Sequence, residues 1–250
     1  MNDKIKKEQE FHDNRFGGND PRKSVGKFYA VKTHANQFFN AEVGKRCNGK
    51  KLLEYGCGYG NSSAKYIDAG AQLLGIDISP EGVKRAKSAA RASGLTADYQ
   101  VMDAERMTFS DDTFDLCVGS GILHHLDLDK SLSEISRVLN KRGAAIFIEP
   151  MGHNPIINWY RNKTPSMRTD DEHPLLKQDL DGFKQYFNNV EESYFALSTL
   201  IAAPLVNTFA FSALYKVLQS LDRVLFKLPF LRYQAWTVVI TMSEPITTKT

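Results

Sequence analysis

The chain has 250 residues, 42% of them hydrophobic, which suits one α/β domain with a small addition and excludes a disordered chain. Its 32 basic and 29 acidic residues leave a formal net charge of only +3, so no strong basic field points to nucleic acid as a partner. The three cysteines, Cys47, Cys57 and Cys117, lack the spacing of metal ligands. We expect them to be reduced thiols in a cytoplasmic protein.

Short apolar runs alternate with helical patterns from residue 51 to residue 148. The predicted strands are 52–55, 72–76, 98–102, 114–119 and 144–148, and the predicted helices are 61–69, 79–93 and 128–140. Ser79, Pro80 and Glu81 form a typical helix start, and Gly94 is a typical stop. Five strands that alternate with helices predict a parallel sheet with helices on both faces.

The pattern changes after Pro150. Residues 151–178 are irregular, and the later elements are a helix at 178–187, a sixth strand at 190–199 and a last strand at 236–242. Apolar residues recur at spacings of three and four from Leu214 to Leu228, which predicts an amphipathic helix between these two strands. Residues 193–215 carry no charge, but Pro204 and several polar residues favour a buried strand and a covering helix over a membrane span.

A glycine-rich turn, Glu54-Tyr55-Gly56-Cys57-Gly58-Tyr59-Gly60-Asn61, lies between the first strand and its helix. Glycines let the backbone turn sharply and let a ligand approach closely. Glu54, Asp77 and Asp103 end the first three strands, so their carboxylates should share one crevice, where Asp77 is placed to bind ribose hydroxyls. Three carboxylates disfavour a pyrophosphate and favour a cofactor that has a ribose, an adenine, a sulfonium and an ammonium group.

These segments together resemble class I S-adenosylmethionine-dependent methyltransferases, especially those of ubiquinone and menaquinone biosynthesis. The resemblance covers about residues 50–150, and it includes Leu123-His124-His125-Leu126 and the turn that ends at Gly143, where Arg142 replaces the usual proline. It implies a doubly wound Rossmann-like α/β sheet of seven strands, the last antiparallel, with S-adenosyl-L-methionine as the cofactor. The expected cofactor-binding residues are Glu54, Gly56, Gly58, Gly60, Asp77, Ile78, Asp103, Ala104, Gly119 and Ser120.

Two competing functions remain open at this stage. One is an NAD(P)-dependent oxidoreductase, which also uses a glycine turn and an acidic residue at the second strand. The other is a binding module that keeps the fold without catalysis.

Histidines are the main candidates for catalysis. His124 and His125 follow the fourth strand, and by likeness to the family His125 is the preferred general base for a hydroxyl acceptor. A purely structural histidine is the alternative. Candidate substrate contacts are His12 and Tyr29 in the aromatic N-terminal segment and His153 and Arg161 after the fifth strand. Asp170, Asp171 and Glu172 stand beside His173, but neighbouring carboxylates usually face water, so no metal is expected.

We divide the single domain into an N-terminal helical cap (1–48), a cofactor-binding core (49–150) and a substrate-side segment with a helical lid (151–250). The N-terminal aromatics either cover the cofactor or pack on the outside of the sheet. Residues 200–233 are rich in phenylalanine, including Phe209, Phe211, Phe226 and Phe230. This composition suggests a small hydrophobic, lipid-like acceptor and peripheral contact with a membrane, although the helix is alternatively a simple cover of the core.

Overall fold

The computed structural model describes residues 9–13, 30–164 and 172–246. Its centre is one seven-stranded sheet in the order β3-β2-β1-β4-β5-β7-β6. The strands are β1 (Lys51–Tyr55), β2 (Gln72–Asp77), β3 (Asp98–Val101), β4 (Phe114–Ser120), β5 (Leu139–Pro150), β6 (Phe187–Phe195) and β7 (Thr237–Pro245). Only β7 runs antiparallel to its neighbours, as the predicted Rossmann-like fold requires.

Helices cover both faces of this sheet. They are α1 (Thr33–Cys47), α2 (Ser63–Asp68), α3 (Pro80–Ala92), α4 (Leu128–Val138), α5 (Pro155–Lys163), α6 (Lys177–Gly182), α7 (Ala210–Leu225) and α8 (Pro229–Arg232), with 3₁₀ turns at Leu123–His125, Phe183–Gln185 and Ser198–Leu205. The predicted start of α3 is confirmed, because Ser79 Oγ accepts a hydrogen bond from the amide of Gly82. The predicted stop at Gly94 is also confirmed, with φ at +65°.

The core consists of two layers, one on each face of the sheet. Alternate residues of a strand point to opposite faces, so Leu52 joins the layer under α1 and α3, whereas Leu53 joins the layer under α4 and α6. Burial of both faces explains why the central strands read as continuous apolar runs. The same geometry places the carboxyl ends of β1 to β4 at one edge of the sheet.

The largest boundary errors in the prediction occur near β5 and β6. The helix predicted to reach residue 140 ends at Val138, because Leu139 and Asn140 already belong to β5. The helix predicted at 178–187 ends at Gly182 and passes through a 3₁₀ turn into β6, which starts at Phe187. β6 therefore begins and ends earlier than predicted, and the apolar residues that follow form the 3₁₀ segment Ser198–Leu205.

The segment between β6 and β7 is helical, as predicted, and α7 is its main element. However, α7 is rotated so that only part of its apolar stripe faces the core, with Leu218 buried. Asp222, a charged residue outside the apolar stripe, is also buried, while Val217 and Val224 of the stripe are 65% and 60% exposed. None of the helices formed by the described residues is long and apolar enough to cross a membrane.

Candidate cofactor and active site

A cavity of about 560 Å³ lies at the carboxyl edge of β1 to β4. Most of the residues predicted to bind the cofactor line it: Glu54, Gly56, Gly58, Asp77, Ile78, Asp103, Ala104, Gly119 and Ser120. Gly60 does not line the cavity; a Cβ there would stand 3.2 Å from the Cβ of Ala86 in α3. A volume of this size suits a ligand with the dimensions of a nucleoside cofactor.

Two glycines keep the cavity open. Gly56 has φ at +74°, and a Cβ at this position would lie 2.2 Å from Ile122 Cδ1. At Gly119 a Cβ would lie 2.4 Å from the ring of Phe147. A larger side chain would displace Ile122 in the cavity wall at the first position and Phe147 in the core behind it at the second, which accounts for glycine at both.

Glu54 is a buried carboxylate at the end of β1, and its only hydrogen-bond partner among the described residues is Ser63, whose hydroxyl donates at 2.5 Å. Burial raises the pKa of Glu54 to about 7, the Ser63 hydrogen bond opposes that rise, and the charge of Asp77 adds to it. Because a single hydroxyl compensates this buried carboxylate for the loss of water, a cation in the cavity would stabilise its ionised form.

Asp77 is held firmly by the backbone around it. Its Oδ2 accepts a hydrogen bond from the amide of Gly58 at 2.8 Å, and its Oδ1 accepts one from the amide of Ser79 at 2.9 Å. Burial raises the pKa of Asp77, and these two amides partly offset the effect. Each carboxylate oxygen keeps a second lone pair for a hydroxyl in the cavity.

The third wall of the cavity is the turn after β3. Asp103 Oδ1 accepts a hydrogen bond from the amide of Glu105 at 2.9 Å, which closes the turn. The buried hydroxyl of Tyr55 donates to the carbonyl of Ala104 at 2.7 Å and ties this turn to β1. Lys130, on α4, contributes an ammonium near the Glu105 carboxylate, 3.6 Å away.

His124 is anchored by Glu149, which is fully buried near the end of β5. The ring Nδ1 lies 2.7 Å from Glu149 Oε2, and Glu149 Oε1 accepts hydrogen bonds from the amides of Ile122 and Leu123. Burial alone raises the pKa of Glu149, but His124 and the two amides outweigh it, so this pKa lies below its ordinary value. His124 does not line the cavity, and its contacts fix the 3₁₀ turn that carries His125.

His125 lines the cavity, as does His12 from the described N-terminal residues 9–13. The two rings meet edge to face with centroids 5.6 Å apart. Glu172 is not a water-facing carboxylate as expected, because its side chain is 8% exposed and its Oε1 lies 3.8 Å from His125 Nε2. His124, His125 and Glu172 each place one ligand-type atom within 4.8 Å of the others, so the predicted absence of a metal stays a prediction.

The other predicted substrate residues lie away from this cavity. His153 Nε2 accepts a hydrogen bond from the amide of Lys177, and Arg161 donates to the carbonyl of Met151 at 3.0 Å. Both side chains thus hold the segment after β5 in place. Tyr29 lies outside the described residues. No residue of the segment 200–233 is among those that line the cavity, so α7 does not lie across it as the sequence suggested.

The sequence analysis missed several residues that the structure brings to the site. Ile122 and Leu126 add apolar surface beside His125, and Asp127 and Lys130 add charge at the start of α4. Glu149 was also missed, although it stands near the end of a strand like Glu54, Asp77 and Asp103. That shared position was the signal that could have identified it.

The fold and the cavity define an α/β protein with a nucleoside-cofactor site at the carboxyl edge of its sheet. Residues 53–147 match the family model described as a methyltransferase domain. The chain is 31% identical over 107 residues to a ubiquinone biosynthesis O-methyltransferase of Cereibacter sphaeroides, covering 43% of each chain. It is 35% identical over 138 residues to norajmaline N-methyltransferase of Rauvolfia serpentina, covering 53% of this chain and 44% of the relative.

Among solved structures, the chain is similar to geranyl diphosphate C-methyltransferase from Streptomyces coelicolor A3(2), determined with Mg²⁺, geranyl diphosphate and S-adenosyl-L-homocysteine. The TM-score is 0.67 with 12% identity, over 98% of this chain and 99% of the other, which shows a shared fold. Residues 53–147 therefore carry the match to a methyltransferase domain, and the predicted resemblance to methyltransferases that use S-adenosyl-L-methionine is confirmed. The matched region spans less than half the length of the curated relatives.

Proposed function

We propose that the whole chain is a methyltransferase that transfers a methyl group from S-adenosyl-L-methionine to a small, hydrophobic, lipid-like acceptor. The observation that carries this proposal is the convergence of Glu54, Asp77 and Asp103 on one cavity behind a glycine-rich turn. Such an acidic cavity suits a cofactor that carries positive charge and no phosphate.

The donor groups present fit this cofactor. Glu54 would hold the ammonium group of its methionine part, Asp77 the ribose hydroxyls, and the turn at Asp103 and Ala104 the adenine. Once bound, the cofactor supplies an electrophilic methyl carbon on a sulfonium. The protein then has to orient the acceptor, exclude water and take up any proton that the acceptor loses.

We propose His125 as the group that takes this proton when the acceptor is a hydroxyl. It lines the cavity, and its turn is fixed from behind by the contact between His124 and Glu149. We assign His124 a positioning role in the same step. His12, whose ring meets His125, is proposed to contact the acceptor. A His125 that only packs the loop would leave the rate unchanged when replaced.

Three further proposals concern the setting of the reaction. Residues 1–48 cap the core 49–150, with His12 at the cavity and α1 packed on the sheet, and residues 151–250 complete the same domain. The three buried, unbridged cysteines support a reducing, cytoplasmic compartment. The exposed apolar side chains of residues 200–233 support peripheral contact with a membrane that supplies a lipid-like acceptor. Nucleic acid is not a proposed partner.

The direct test is mass spectrometry of small molecules from a cell extract incubated with the purified protein and cofactor. The proposal predicts that an apolar compound gains the mass of one CH₂ unit. The matched control is Asp77→Asn, which should leave the extract unchanged. If no compound gains this mass with the parent protein while the cofactor still binds, the chain is a binding module.

A further inference from the structure

The helix α7 exposes an apolar stripe to solvent and buries a charged residue, Asp222, against the rest of the protein. Asp222 accepts hydrogen bonds from the amides of Leu197 and Ser198 and from the hydroxyls of Ser198 and Thr199. Since Asp222 is 5% exposed, these bonds fix which side of α7 faces the protein. The inner side is completed by Leu218, which is buried, and by Phe211 and Tyr215, which pack on a small third core cluster.

The outer side of α7 carries Val217, Leu221, Val224 and Leu228 at spacings of three and four, continuing just past the helix end, and these side chains are 43–65% exposed. Phe230, at the start of α8, is 69% exposed. Because the inner side is already satisfied, this stripe contributes little to the core. From Val217 to Leu228 the stripe extends about 16 Å at about 1.5 Å per residue, and an exposed apolar surface of this kind indicates a binding partner.

The charges beside the stripe indicate which partner it is. Lys216, Arg223 and Lys227 are exposed, follow one another at spacings of seven and four, and therefore lie along one flank of the stripe. Asp222 is the only acidic residue from 198 to 233, and it is buried. An exposed apolar stripe with a flank of one positive sign is the pattern of helices that lie in the headgroup region of anionic bilayers.

A second copy of this chain fits the same surface less well. In a two-fold dimer in which the two α7 helices cross antiparallel, the rows of Lys216, Arg223 and Lys227 would lie on the same side of the interface. Like charges would then be brought together without acidic residues to offset them. An anionic lipid surface offers both an apolar layer for the stripe and negative charge for the flank.

We propose that α7 docks the protein on an anionic phospholipid bilayer, with its apolar stripe in the interface and its basic flank on the lipid phosphates. This inference deepens the proposed function by naming the membrane partner and its charge. It does not depend on cofactor binding, because none of the residues involved lines the cofactor cavity.

The experiment is co-sedimentation of the full chain with vesicles of phosphatidylcholine alone and of phosphatidylcholine with one-quarter phosphatidylglycerol. We expect binding to the anionic vesicles and a loss of at least about tenfold on neutral vesicles or in high salt. The double variant Lys216→Glu/Lys227→Glu should partition onto the anionic vesicles at least about tenfold less than the parent does. The matched control Lys87→Glu/Lys141→Glu, on exposed positions of α3 and β5, should bind like the parent.

A stripe variant, Val217→Ser/Leu221→Ser/Val224→Ser, should also lose at least about tenfold in partitioning. Its fold is checked by its melting temperature and its S-adenosyl-L-methionine affinity, both expected to match the parent because the three side chains are exposed. Equal binding of the parent to neutral and anionic vesicles overturns the inference. So does a parent that is a dimer in solution if the stripe variant is a monomer. A parent that binds vesicles but not the cofactor overturns the proposed function and leaves the docking surface intact.

Discussion

Replacing Glu54 with glutamine should stabilise the protein and weaken its cofactor binding at the same time. The buried carboxylate has a pKa of about 7 in the folded chain against an ordinary value of 4.5. An acid whose pKa is higher in the folded chain than in the unfolded chain stabilises the folded state when it is protonated, and it loses this contribution as it ionises. The free energy of unfolding of the parent should therefore decline as pH rises from about 4.5 to about 7 and stay low above that.

The gap between the two pKa values corresponds to about 3 kcal/mol at pH 8. Glu54→Gln removes the ionisation and keeps the shape, so its free energy of unfolding should exceed that of the parent by about 2–3 kcal/mol at pH 8 and by little at pH 4.5. The assay is urea denaturation at both pH values. Glu42→Gln is the control with the opposite sign, because hydrogen bonds from Lys45 and Arg46 hold the pKa of Glu42 below its ordinary value.

The same carboxylate should make cofactor binding depend on pH. An ammonium group beside Glu54 favours its ionised form, so S-adenosyl-L-methionine affinity of the parent should rise up to about tenfold between pH 6 and pH 8. In Glu54→Gln the affinity should be lower and nearly independent of pH. A Glu54→Gln variant that is no more stable than the parent at pH 8 refutes the raised pKa of Glu54. A variant that binds the cofactor as tightly as the parent refutes the placement of a cation at Glu54.

Three other outcomes are expected. Asp77→Ala should weaken S-adenosyl-L-methionine binding by roughly 2–4 kcal/mol in calorimetry without loss of the fold, and unchanged affinity would rule out the ribose contact. His125→Ala should lower turnover of a hydroxyl acceptor by about 10²-fold with little change in cofactor affinity, whereas His173→Ala, on an exposed histidine next to Asp179, should not. Dialysis against a chelator should leave turnover unchanged; a loss that a divalent cation restores would instead assign a metal to the cluster at His124, His125 and Glu172.

Local sequence signals predicted the cofactor half of the molecule well. The alternation of strands and helices from 51 to 148, the cap at Ser79 and the glycine turn each depend on interactions between residues close in sequence. Carboxylates at the ends of neighbouring strands converge when the sheet is parallel, so the sequence alone places Glu54, Asp77 and Asp103 together. This is why most of the predicted cofactor residues line one cavity.

The acceptor half depends on contacts between distant residues, and the sequence predicted it poorly. Nothing local to Glu149 shows that it supports His124, and nothing local to Glu172 shows that it reaches His125. His153 and Arg161 are polar residues in a segment near the site. Their side chains form hydrogen bonds with backbone groups outside the cavity and therefore do not line it. Only the folded chain reveals these partners.

The orientation of α7 shows the limit of periodicity. Its apolar stripe has the spacing of a core-facing helix, and the usual inference places that stripe inside. The hydrogen bonds that Asp222 receives from the start of the Ser198–Leu205 segment instead rotate the helix, so that Val217 and Val224 face solvent while Leu218 of the same stripe stays buried. A buried polar anchor of this kind is invisible to a pattern that counts apolar residues.

The acidic cavity should bind a phosphate-free, positively charged nucleoside cofactor. Isothermal titration of the purified chain with S-adenosyl-L-methionine and, separately, with NAD measures this preference. We expect one cofactor molecule bound per chain in the first titration and no heat of binding in the second. Binding of NAD, or no binding of S-adenosyl-L-methionine between pH 7 and pH 8, would contradict it.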